Sequence, residues 1–242
     1  MSFANRLTGA FGAHGQLCVG IDPHEHLLGQ WGLDASAAGV REFGLRVVDA
    51  CAGSVGIVKP QVSFFERHGS AGFAALEDVM AAARAAGLLV IADAKRGDIG
   101  TTMDAYARAW LTPGSPLEAD ALTVSPYLGV GSLRDTFRLA HQHGKGIFVL
   151  AATSNPEGAA LQRAVPAGAP TVARAVADEV SAWNLATTGG GLGSIGLVVG
   201  ATIDRRAAGL PEALTPPAPI LAPGFGAQGA RLTELATLFG AD

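Results

Sequence analysis

The chain has 242 residues, of which 49% are hydrophobic and 16% charged, with a formal net charge of -4. This length suits one large core, because (β/α) barrels reach it without splitting, and 17 Lys and Arg against 21 Asp and Glu leave no basic stripe for nucleic acid. No apolar run approaches the roughly 18 residues of a membrane span, "MSFANRLTGAFGAHG" lacks the apolar core of a signal peptide, and Cys18 and Cys51 without CxxC spacing read as free thiols of a cytoplasmic protein.

Taken in chain order, short apolar runs end in Gly, Pro or charge: "QLCVGIDPH" from residue 16, "SVGIVKPQ" from 54, "GLLVIADAK" from 87 and "ADALTVSPY" from 119. "GIFVLAAT" from 146, "SIGLVVGAT" from 194 and "APILAPGFG" from 218 follow. They are continuously apolar rather than alternating, which is the pattern of parallel strands covered on both faces. Ala-rich segments with helical spacing lie between them, such as residues 70–87 and 171–186, each ending near Gly. "TPGSP" at 112–116, "AVPAGAP" at 164–170 and "TTGGGLGS" at 187–194 read as loops too short to link domains. The repeated βα unit predicts an α/β fold, a single (β/α)8 TIM barrel over residues 1–242. An open dinucleotide-binding sheet is disfavoured because "GIDPHEH", the first strand-to-helix turn, has no GxGxxG.

In such barrels the chemistry gathers at the C-terminal strand ends. The third strand ends in "IADAKRGDIGTT", with Asp93, Lys95, Arg96 and Asp98 inside six positions. Asp93 and Lys95 are two apart, so on an extended chain they face the same side. Lys59 ends the second strand and Asp22 the first. A cluster of alternating carboxylates and ammonium groups is therefore predicted at one end of the barrel. A closing ion-pair network is the competing explanation, but burying several charges is costly and hydrophobic replacements are often as stable. Such an array points to use.

The ordered pieces "GIDPH", "VKPQ", "DAKRGDIGTT", "SPYLG", "TSNPEG", "VVGAT" and "PGFGAQG" resemble the orotidine 5'-phosphate decarboxylase family, specifically its bacterial subfamily that includes mycobacterial enzymes. The resemblance runs from about residue 3 to 230. It implies decarboxylation of orotidine 5'-monophosphate at C6 to UMP and CO2, with no metal or organic cofactor. It places a catalytic tetrad on Lys59, Asp93, Lys95 and Asp98, with Lys95 as the proton donor. It further implies that Asp22 binds ribose, Ser154 the pyrimidine, and Gln228 the phosphate. Gly229, with Gly224 and Gly226, suits close backbone approach to such an anion. Asp98 and Thr102 are expected to reach a partner's site across a homodimer.

The family barrel has an eighth strand ending in a phosphate-binding Arg, whereas only seven strands are legible here. A missing stave would expose two edges and part of the core, so the natural chain is expected to continue beyond Asp242. The main alternative is a magnesium-dependent keto-sugar-phosphate decarboxylase or synthase of the same barrel suprafamily, which shares DxKxxD but carries Glu where Lys59 stands. A zinc hydrolase using His24 and His26 would need ligands from later strand ends, and no His follows residue 143. Those two histidines read as a solvated loop.

Overall fold

The computed structural model describes residues 1–226 and 229–239. Seven strands follow one another across the sheet in chain order, and the pairs β1–β2, β2–β3, β5–β6 and β6–β7 are parallel. With helices between successive strands from β1 to β6, and only turns between β6 and β7, this is the (β/α)8 barrel class, seven strands being present among the described residues. Two compact units are distinguishable: residues 1–96, 101–123 and 138–146, and residues 97–100, 124–137 and 147–242.

The first unit begins with α1 (Phe3–His14), whose N-cap Ser2 accepts a hydrogen bond from the Asn5 amide at 3.2 Å. β1 (Cys18–Ile21), α2 (Glu25–Gln30), α3 (Ala37–Cys51), β2 (Ile57–Pro60), α4 (Val62–Glu66), α5 (Gly69–Ala85) and β3 (Leu89–Arg96) follow. α6 (Gly100–Leu111) and β4 (Ala121–Val124) continue the alternation. Residues 89–93 and 121–124 are buried without interruption, as the continuously apolar runs require. α3 and α5 pack closely because Gly44 has no side chain; a Cβ there would stand 2.6 Å from Val79 Cγ2.

A second charged cluster ties α1 to the chain entering β4 and β5. Arg6 pairs with the buried Asp120 and donates to the Gly144 carbonyl at 2.9 Å. Asp120 Oδ2 accepts from the Val90 amide at 2.8 Å, and Lys145 donates to Glu118 at 2.6 Å. Every one of these buried groups therefore has a partner, the condition under which buried charge is tolerated.

In the second unit, α7 (Arg134–Gln142) starts after a 3₁₀ turn at Val130–Leu133 and ends in the first. β5 (Gly146–Ala152), α8 (Gly158–Gln162), α9 (Val172–Thr188), β6 (Ile195–Val199), β7 (Ile220–Leu221) and α10 (Leu235–Phe239) complete the order. α9 extends to Thr188, so the first two residues of the expected 187–194 loop are helical; the helix stops at Gly189, which takes the left-handed conformation that glycine adopts without steric cost. The buried Asn184 side chain bonds the Ile195 carbonyl at 2.7 Å and amide at 3.3 Å, fixing α9 to the start of β6. No described helix is long and apolar enough to cross a membrane.

Candidate active site

Strand register delivers the charges. Gly20 in β1 stands opposite Lys59 in β2, and Gln61 just beyond β2 bridges to Asp93 in β3. Lys59 Nζ lies 2.9 Å from Asp93 Oδ2 and 4.0 Å from Asp22 Oδ1, while Lys95 Nζ donates to Asp93 Oδ1 at 2.6 Å. The sequence-predicted cluster of Asp22, Lys59, Asp93 and Lys95 is thus brought together by direct contacts. Gly20 makes room for it, because a Cβ at that position would collide with Asp22 Oδ2.

The geometry at Lys95 differs from the extended arrangement expected. Its φ is 49°, and among the described residues it is the non-glycine with positive φ. The left-handed region costs an L-residue roughly 1–2 kcal/mol, a cost that must be offset by local bonds. The bonds come from β4: the Lys95 amide donates to Thr123 Oγ1 at 2.9 Å, and that hydroxyl donates to Asp93 Oδ1 at 2.9 Å. Gln61 adds a further link when its side-chain amide is oriented with nitrogen towards the carboxylate, as hydrogen-bond chemistry requires: the nitrogen then donates to Asp93 Oδ2 at 2.6 Å and the oxygen accepts from Lys95 Nζ at 3.3 Å. Sequence reasoning missed Thr123 and Gln61. The Gln follows Lys59 in "VKPQ", a usable signal, whereas a Thr inside "ALTVS" looks like any β-branched strand residue.

Asp93 is buried, Lys59 nearly so, and Lys95 half-exposed. Burial pushes the Asp93 carboxyl up, but the charges of Lys59 and then Lys95, with hydrogen bonds from both, outweigh it and hold the group below the usual carboxylate range. Burial likewise works to lower the Lys59 ammonium, and the Asp93 and Asp22 charges, with the Asp93 hydrogen bond, raise it above its ordinary value. Cys18, half-buried beside this group, is pushed up to about 12, by burial first and then by the balance of the Lys59, Asp93 and Asp22 charges. The site thus holds fixed, alternating charges and a neutral thiol.

The other predicted residues are placed as follows. Asp98 follows β3, and its carboxylate accepts from the Ile99 amide at 2.8 Å. Thr102 is exposed on α6, and Ser154 is exposed just after β5. Gly229 has φ 103°, and Gly224 and Gly226 have φ 123° and 80°, with hydrogen bonds from Gly229 N to Gly226 O and from Ala230 N to Gly224 O. Gln228 lies outside the described residues. His24 and His26 are exposed, but His24 occupies the N-cap position of α2 and its ring meets Phe64 edge-on at 4.5 Å between centroids. Among the described residues no group of three or more His, Cys, Asp or Glu is arranged to hold a metal ion.

Comparison with known proteins identifies the family. A family model described as "Orotidine 5'-phosphate decarboxylase / HUMPS family" matches residues 15–236. An orotidine 5'-phosphate decarboxylase of Salinispora tropica is 54% identical over 239 residues, covering 99% of this chain and 84% of its own length. One from Corynebacterium glutamicum is 49% identical over 241 residues, covering 99% and 85%. A solved structure from Streptomyces avermitilis superposes with a TM-score of 0.92 at 51% identity, covering 99% of this chain and 82% of the other. The OMP decarboxylase of Leishmania donovani gives 0.72 at 35% identity, covering 93% and 80%. With a family model matching residues 15–236 and a relative 54% identical over 99% of the chain, the chain belongs to the orotidine 5'-phosphate decarboxylase / HUMPS family.

Proposed function

We propose that the Lys59, Asp93 and Lys95 cluster performs the decarboxylation of orotidine 5'-monophosphate at C6, releasing CO2 and forming UMP, with Lys95 as the proton donor. The activity is that of a carboxy-lyase in pyrimidine biosynthesis. The observation that carries the assignment of roles is the shared carboxylate: Asp93 holds one ammonium on each oxygen, at 2.9 and 2.6 Å.

Loss of CO2 leaves an electron pair at C6 in the ring plane, and the protein must stabilise that charge before quenching it. An ammonium roughly 4 Å from the developing charge contributes about 4 kcal/mol at an effective dielectric near 20, more where water is excluded. Lys95 is the group for this because its Nζ is held by Asp93 while its side chain remains half-exposed. When the C6–carboxylate bond breaks, its electron pair stays on C6; Lys95 then transfers a proton from Nζ to C6 and regains one from solvent. Lys59, raised in pKa, stays charged and keeps Asp93 ionised.

Binding is assigned to Asp22 for the ribose, Ser154 for the pyrimidine, and Gln228 with Gly229 for the phosphate. The positive φ of Gly224, Gly226 and Gly229 supports the phosphate assignment, since backbone amides can approach an anion closely at such positions. Gripping phosphate far from C6 supplies binding energy that orders the site around the ring. Asp98 and Thr102 are assigned to the partner's site in a homodimer, and the free thiols Cys18 and Cys51 support a cytoplasmic setting.

The test is loss of the orotate-ring absorbance when the protein meets orotidine 5'-monophosphate in excess chelator. Turnover is expected. If added Mg2+ instead activated the chain towards a hexulose or keto-gulonate phosphate while orotidine 5'-monophosphate stayed intact, the assignment would be wrong.

A further inference from the structure

We infer that Thr123 is a positioning residue for Lys95, holding the left-handed backbone that directs the proton-donating ammonium onto Asp93. The inference rests on the reading of Lys95 as the proton donor. Thr123 lies in β4 between Leu122 and Val124, and is 1% exposed. An ionised carboxylate only accepts, so the single hydroxyl proton must go to Asp93 Oδ1, leaving a lone pair for the Lys95 amide. Both bonds run through one oxygen atom. They connect the main chain of Lys95 to the same Asp93 oxygen that its own Nζ reaches.

This closed circuit accounts for two features at once. It supplies a partner for the amide of a residue held at φ 49°, and it sets where Asp93 Oδ1 stands when Lys95 binds it. A threonine placed only for strand packing would need neither bond. Without the hydroxyl, the amide loses its acceptor and Asp93 keeps fewer donors, so Lys95 gains freedom to leave its aim. Misplacement of a reacting group by about 1 Å costs on the order of 10²-fold in rate.

The decisive comparison is Thr123→Val, which preserves shape and removes both bonds, against Thr123→Ser, which preserves the hydroxyl. For Thr123→Val, kcat for orotidine 5'-monophosphate is expected to fall about 10- to 100-fold while KM moves less than about threefold, with UMP binding confirming an intact fold. Thr123→Ser should retain most of kcat. The acid limb of kcat should also shift upward in Thr123→Val, because Asp93 loses a donor that favours its charged form. The charged or titratable groups facing Asp93 (Lys59, Lys95, Asp22 and Cys18) are unchanged in either variant. Should the valine variant prove insoluble, Thr123→Ala carries the same measurements. Equal kcat in Thr123→Val and the parent, a serine variant as slow as the valine one, or a loss confined to KM would each overturn the inference. A parent chain without turnover would instead overturn the functional reading and this inference with it.

Discussion

Asp93 and Lys59 form the least exposed ion pair of the site, with Nζ to Oδ2 at 2.9 Å and side chains 10% and 14% accessible. Their shifts oppose each other: Asp93 is held below its ordinary value and Lys59 above its own. A depressed carboxylate contributes stability above its unfolded pKa and loses it as pH falls through the folded one. A raised ammonium contributes below its unfolded pKa and loses it as pH rises through the folded one. The pair should therefore stabilise the fold between about pH 3.9 and 10.4, the ordinary Asp and Lys values, and fade outside that window. Thermal unfolding across pH for the parent and for Lys59→Met would check this; an unchanged acid limb in the variant would remove Lys59 as the cause.

If Lys95 is the proton donor proposed above, replacing it with Ala removes both the charge that steadies the C6 electron pair and the proton that ends it. The loss in kcat should exceed the roughly 10²- to 10⁴-fold of a general acid alone. The absorbance assay measures it directly. A loss of tenfold or less would mean that Lys95 has only one of these duties, or neither.

If Asp98 and Thr102 act in a partner's site, two defective chains can repair one another. Mixing Lys95→Ala with Asp98→Ala should restore part of the activity through hybrid dimers in which one site carries both intact residues. Subunit exchange is to be demonstrated with differently tagged chains. Exchange without recovery would assign Asp98 to its own chain.

Because the Arg6 side chain is 27% exposed, Arg6→Ala should lower stability by somewhat less than the roughly 3–5 kcal/mol of stranding one charge of a fully buried pair. Asp120 would be left buried among the Val90 amide and a more distant Lys145, 4.0 Å away. Turnover at low temperature should be unaffected, because none of the residues assigned to catalysis contacts Arg6. Denaturant unfolding with a parallel activity measurement separates the two effects.

The strands were legible because β2 to β6 are apolar on both faces, a pattern that needs no knowledge of neighbours. Lys59, Asp93 and Lys95 were legible for a related reason: charge directly at the end of an apolar strand is costly unless it is used. The backbone twist at Lys95 was not, since nothing in "DAKRG" separates an extended lysine from a left-handed one until Thr123 is brought alongside from 28 residues away. The Arg6–Asp120 pair spans 114 residues, and its members read singly as ordinary surface charges. β7 is only two residues long, so "APILAPGFG" promised more pairing than the chain makes, its flanking prolines having no amide proton to donate to a neighbouring strand.

Cys18 sits among the charges of Lys59, Asp93 and Asp22 with its thiol pushed up to about 12. Sulfur reacts with alkylating agents and peroxides through the thiolate, a form almost unpopulated here at neutral pH. The consequence is chemical quietness: with the other free thiol, Cys51, buried and likewise raised by burial, iodoacetamide or mild hydrogen peroxide should leave turnover intact, and a cysteine tag introduced elsewhere could be labelled selectively.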